Sequence, residues 1–142
     1  MIRVVLAVAL ASALFGIAAP SAEAVDRERS TELAMDELEA VAETADRLAA
    51  TNDPVAPGQD PAATTIALDP PSATFADPGR IRLADEELRW EPPKGRNRTV
   101  EAAVPIRVVT PAVVTDRTRL RLSFVPVEGT PVVRIRVDPG SV

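Results

Sequence analysis

The sequence predicts an α+β protein in which an apolar N-terminal helix and an amphipathic helical stalk precede a small, mostly antiparallel all-β domain of sandwich-like build. Three observations lead there. Val4 to Ala19 is a run without one charge. Ala34, Leu38, Val41, Ala45 and Leu48 follow one another at spacings of four, three, four and three. Three segments beyond residue 98 alternate apolar and polar residues with a period of two, the signature of half-buried strands. The chain divides on this reading into 1–24, 25–53, 54–61 and 62–142.

Residues 1–24 have the layout of an export segment. Arg3 gives a positive start, the apolar run follows, Pro20 breaks it, and Ala22-Glu23-Ala24 closes it as an A-x-A tripeptide. That order describes a secretory signal peptide, with cleavage expected between Ala24 and Val25. The alternative is retention as a membrane anchor facing outward, Arg3 holding the cytoplasmic end; a spanning helix needs about 17–25 apolar residues. Either fate puts the rest of the chain outside the cytoplasm, at the cell membrane or secreted.

Residues 25–53 are expected to form one amphipathic helix. Its apolar stripe (Ala34, Leu38, Val41, Ala45, Leu48) repeats over two heptads, while Asp36, Glu37, Glu39, Glu43, Asp46 and Arg47 occupy other faces. Ser30 or Thr31 is placed to cap its start, and Pro54 disfavours a helical Asp53 and so ends it. The stripe either packs on the following domain or serves as the face for a partner helix. Residues 23–53 carry a local net charge of −7.

The stretch 54–61 reads as a proline-rich linker within a region holding eight prolines between Pro54 and Pro93. Short strands are expected at Ala63–Leu68, Arg80–Leu83 and Glu87–Trp90, kept short by proline. Longer ones are expected at Thr99–Val109, Arg117–Val125 and Pro131–Val137. The last two are joined through Val127-Glu128-Gly129-Thr130 as an antiparallel hairpin. The core is aliphatic, with Phe75, Trp90 and Phe124 expected inside.

On the polar side of these strands stand Arg107, Arg119, Arg121, Arg134 and Arg136. If the strands are neighbours they display one basic sheet face. Residues 96–142 carry a net +4. The face is then a solvated surface, a partner for the acidic stalk within or between molecules, or a seat for an anionic ligand such as an acidic glycan. Nucleic acid is not expected, because no aromatic side chains interleave the arginines.

The composition excludes much chemistry. The chain of 142 residues has no Cys, His or Tyr and one Trp, at a net charge of −5. Zinc, haem and iron–sulfur ligand sets, disulfides and Ser-His or Cys-His nucleophiles all need residue types it lacks. No catalytic, cofactor-binding or metal-binding residues are assigned, and no enzyme is expected. Asp85-Glu86-Glu87 reads as an exposed turn and Asp26-Arg27-Glu28-Arg29 as a solvated charge run. Asn97-Arg98-Thr99 is an N-x-T sequon, which makes Asn97 a glycosylation candidate. Fifteen arginines against a single lysine, Lys94, together with the acidic balance, fit a halophilic host.

The arrangement of Met1–Leu10, the charged Asp26–Arg29, the amphipathic stretch ending Ala45-Asp46-Arg47-Leu48, then Asn52-Asp53-Pro54-Val55 and the Arg/Val strands resembles a family of small uncharacterised haloarchaeal envelope proteins. These look like type IV pilin-like accessory proteins, built from an apolar N-terminal helix, a helical extension and a β head. The resemblance implies a non-enzymatic extracytoplasmic protein, an accessory of a pilus- or secretion-like surface assembly. Its partners would be envelope or pilus-like proteins, and the membrane where the N-terminal helix is kept. The competing expectation is a signal-cleaved, secreted or wall-associated module that binds an anionic ligand through the arginine face.

Overall fold

The computed structural model describes residues 2–55 and 58–138, the side chains of residues 2, 3, 15 and 17–19 excepted. Residues 56 and 57 of the expected linker, and those side chains of the apolar run, lie outside the described residues.

One α-helix, α1 (Ile2–Thr51), takes up the first third of the chain, 50 residues without interruption. This corrects two expectations: Pro20 does not end the apolar helix, and Ser30 and Thr31 do not start a second one. Proline removes one ladder hydrogen bond in a helix interior. Here the alanines at 18, 19, 22 and 24, the strongest helix formers, carry the helix through. The C-terminal end falls where Pro54 forbids continuation, with Asn52 Nδ2 donating to the Leu48 carbonyl at 2.9 Å.

Eight strands follow: β1 (Ala63–Leu68), β2 (Arg80–Ala84), β3 (Glu87–Glu91), β4 (Arg98–Val100), β5 (Ile106–Val108), β6 (Ala112–Val114), β7 (Thr118–Val127) and β8 (Thr130–Asp138). They form two four-stranded sheets, ordered β1-β7-β8-β5 and β4-β3-β2-β6. All pairings are antiparallel except that of β5 with β8, which is parallel. The β7–β8 hairpin turns through Glu128 and Gly129, both at positive φ (51° and 82°), the conformation of a two-residue turn matched to strand twist.

The expected single strand Thr99–Val109 is divided. Its beginning, β4, pairs with β3 in the second sheet, and its end, β5, pairs with β8 in the first. Pro105 has no N–H for a ladder, and the N–H groups of Ala103 and Val104 are taken by the Asp46 carboxylate of α1 at 3.2 and 2.9 Å. With its donors removed, the segment crosses between sheets instead of continuing one. The alternation survives the crossing, because Ala102 and Val104 still pack on the core.

The described residues share one hydrophobic core. It joins Ala34, Leu38, Val41, Ala42, Ala45 and Leu48 of α1 to Leu68, Leu120, Leu122, Phe124, Val133 and Ile135 of the first sheet and Ile81, Leu83, Leu88, Trp90 and Val114 of the second. The helix touches β1, β7 and β8 on one side and β3 and β4 on the other. Its alanines let it settle against both sheets. Trp90 and Phe124 are buried as expected, but Phe75, expected inside, is 68% exposed.

Candidate interaction surfaces

Of the two uses expected for the stripe, packing on the following domain and serving as the face for a partner helix, the structure shows the first. Ala34, Leu38, Val41, Ala45 and Leu48 are all buried in the protein's own core, so the stalk is a structural member of the head rather than a face for another molecule. A stripe of two heptads serves equally for either use, and the sheets offer it more apolar surface than a lone helix can.

Acidic side chains flanking that stripe staple the head to the helix. Asp26 Oδ2 accepts the backbone N–H groups of Thr74, Phe75 and Ala76 at 2.9, 2.8 and 3.0 Å. Glu37 Oε2 accepts the N–H of Asp69 at 3.0 Å, and Asp46 holds residues 103 and 104 as described. Thr31 Oγ1 accepts from the indole N–H of Trp90 at 3.2 Å. The bonds from Phe75 and then Ala76 hold the Asp26 carboxyl below the usual carboxylate range. Sequence reading placed Asp26 in a solvated charge run. Carboxylates that bind backbone leave no mark in sequence, because any loop can present the N–H groups.

Phe75 is exposed for the same reason. Its backbone is pinned where α1 leaves the head, and its ring borders a groove of ≈ 410 Å³ with Ser21, Ala22, Val25 and Thr74. Ala24 and Val25, the expected cleavage pair, are exposed at this point. Beyond it, Val4, Val5, Leu6, Val8, Leu10 and Leu14 are all exposed.

The outer faces of the two sheets differ in charge balance. On the second sheet, Glu91 accepts from Arg80 and Arg82 at 2.7 and 2.8 Å, and Glu87 pairs with Arg89. Arg82 first and Arg80 second hold the Glu91 carboxyl below its ordinary value. Every arginine of β2 and β3 is therefore paired.

The first sheet carries the five arginines expected as one basic face, and the register brings them together. Arg121 of β7 lies opposite Arg136 of β8, and Arg134 of β8 opposite Arg107 of β5. Arg119 stands two residues before Arg121, opposite Asp138. With strands about 4.8 Å apart and alternate residues about 6.7 Å apart along a strand, the five form a diagonal band about 16 Å long from β7 to β5. Arg107, Arg119, Arg121 and Arg136 are exposed and Arg134 half-buried. None is in an ion pair among the described residues. Thr65 of β1 lies beside Arg121 and Ser123 beside Arg134.

The remaining candidates are exposed. Asn97 follows a turn at Gly95 (φ 113°) and precedes β4, with Thr99 outward on that strand. Asp85 and Glu86 form the β2–β3 turn, but not a merely solvated one: Asp85 Oδ1 accepts the Val108 N–H at 3.0 Å, and the Glu86 N–H donates to the Ile106 carbonyl at 3.2 Å. The turn thereby ties the second sheet to β5. A shallow groove of ≈ 530 Å³ lies between α1 and the loop from Asp69 to Thr74. Among the described residues no cluster of carboxylates could hold a metal ion, and no helix is long and apolar enough to cross a membrane.

What this architecture defines is a head of two sheets built around the C-terminal half of a helix whose N-terminal half is left over. The chain belongs to the family of a domain of unknown function, DUF7311, whose model matches residues 1–138. No curated protein and no solved structure matches it.

Proposed function

We propose that the protein is a non-enzymatic, extracytoplasmic envelope protein, an accessory of a pilus- or secretion-like surface assembly that displays a sandwich-like β head on an apolar helix. The observation that carries this reading is the continuity of α1. From Asp26 to Leu48 the helix is stapled to the head and buries one face in it, whereas Val4 to Leu14 projects apolar side chains that remain exposed among the described residues. An exposed apolar surface of this extent marks an interaction site.

Ala7, Ala9, Ala11, Ser12, Ala13 and Gly16 give the projecting half the small residues that let apolar helices approach closely. Packing among helices of an assembly therefore suits it better than a solitary membrane span. Phe75 and Val25, exposed where the helix departs, extend the apolar surface onto the rim of the head.

A second reading is favoured by the position of the A-x-A tripeptide, which ends just before the first staple. Removal of residues 1–24 would leave Asp26 and its three N–H bonds in place, yielding a secreted or wall-associated module. The deciding experiment is the intact mass of the native protein from membranes, sheared surface material and medium. Full-length chain in the first two fractions supports the assembly accessory; a chain starting at Val25 in the medium replaces it with the secreted module.

A further inference from the structure

We infer that the arginine band of one molecule docks on the acidic outer face of α1 in a second copy of the chain, linking heads in a head-to-tail series. The proposal extends the assembly reading to a contact between heads, but it requires only surfaces that lie within the head.

The occupant is identified by charge complementarity. Glu28, Glu32, Asp36, Glu39 and Glu43 are all exposed and follow at spacings of four, four, three and four. At 100° per residue they fall within a stripe about 80° wide and, at 1.5 Å rise, about 22 Å long. That stripe points away from the buried face formed by Ala34, Leu38, Val41 and Ala45. None of the five is in an ion pair among the described residues, and Arg29 and Arg47 lie beside its two ends. A stripe of about 22 Å and a band of about 16 Å, each with five charges of one sign, are opposite in charge, and the stripe is long enough to span the band.

The two cannot meet within one molecule. The helix is fixed between the sheets, while the arginines are on the side of the first sheet that faces away from this core. A contact that uses two different surfaces of each copy is heterologous and propagates unless its rotation closes a ring. Like charges set directly across strands, as at Arg121 and Arg136, disfavour the sheet itself, and opposing carboxylates on a neighbour would relieve that repulsion with paired N–H donors. The second sheet, where every arginine of β2 and β3 already has its glutamate, offers no such surface. The band is spread over three neighbouring strands, an arrangement that suits an extended partner surface.

The test uses the full chain in mild detergent, which covers the N-terminal half of α1, with sedimentation over a range of concentrations at physiological ionic strength. Wild type is expected to associate with concentration and less so as salt is added. Arg121→Glu/Arg136→Glu and Glu32→Arg/Glu39→Arg should each weaken self-association by about tenfold or more, and an equimolar mixture of the two should recover a mixed complex. Thermal unfolding and Trp90 fluorescence confirm that each variant is folded. Wild-type association in both variants overturns the proposal, as does failure of the mixture to recover it. A monodisperse wild type retained on an immobilised acidic polysaccharide overturns it in favour of a glycan site. Association that responds to Val8→Asp but not to charge reversal leaves the assembly reading standing and removes this contact.

Discussion

Arg121 and Arg136 lie directly opposite one another across β7 and β8, two like charges on neighbouring strands of one sheet face. A neighbouring glutamate answers each arginine of β2 and β3, but nothing described answers these. Arg136→Glu turns the repulsive pair into an attractive one. It is expected to stabilise the head by about 0.2–1 kcal/mol in urea unfolding, although it damages the proposed contact. A destabilised variant would mean that the arginines already have a compensation within the head.

Leu38 lies fully buried between the two sheets, so Leu38→Ala should cost about 2–5 kcal/mol of stability. Were the stripe a face for a partner helix, the same change would alter association and leave the unfolding midpoint of the dilute chain unmoved.

A methyl group at Gly79 would stand 2.3 Å from the ring of Trp90, which is 1% exposed and bonded to Thr31. Nothing there can yield without shifting the indole. Gly79→Ala should destabilise by about 1–3 kcal/mol and red-shift Trp90 fluorescence as the ring is displaced toward solvent. An unchanged spectrum with unchanged stability would contradict the packing.

Asp26 and Glu91 both have folded-state pKa values below their ordinary ones. Each therefore adds stability above its unfolded pKa of about 4 and loses it as pH falls through the lowered folded value. Stability should hold from neutral pH down to about 4 and decline below that. Asp26→Ala should shrink the decline and raise amide exchange at residues 74–76, with little change at residues 87–91. Uniform exchange across the head would show that the staple holds no separate loop.

Asp46→Ala frees the N–H groups of Ala103 and Val104. Faster exchange is expected there and in β5, whose short pairing with β8 depends on where the crossing delivers it. An effect confined to α1 would count against Asp46 as the residue that divides the strand.

The sequence by itself determined what depends on nearest neighbours and periodicity. It placed the end of α1 at the Asn52–Pro54 boundary, the β7–β8 hairpin at Glu128-Gly129, and the phase that puts Leu120, Leu122 and Phe124 inside and Arg119 and Arg121 outside. A period of two fixes which side of a strand each residue takes, so the basic face was legible before any strand was paired. Only the tertiary structure decided which strands are neighbours, that Thr99–Val109 serves two sheets, that the stripe from Ala34 to Leu48 is spent on the chain's own core, and that Phe75 stays outside. The division of Thr99–Val109 and the exposure of Phe75 rest on carboxylates of α1 meeting backbone N–H groups 48 to 58 residues away. Every residue but proline carries that donor, so local sequence does not single out the partner, and the choice falls to the global packing that brings one particular loop within reach.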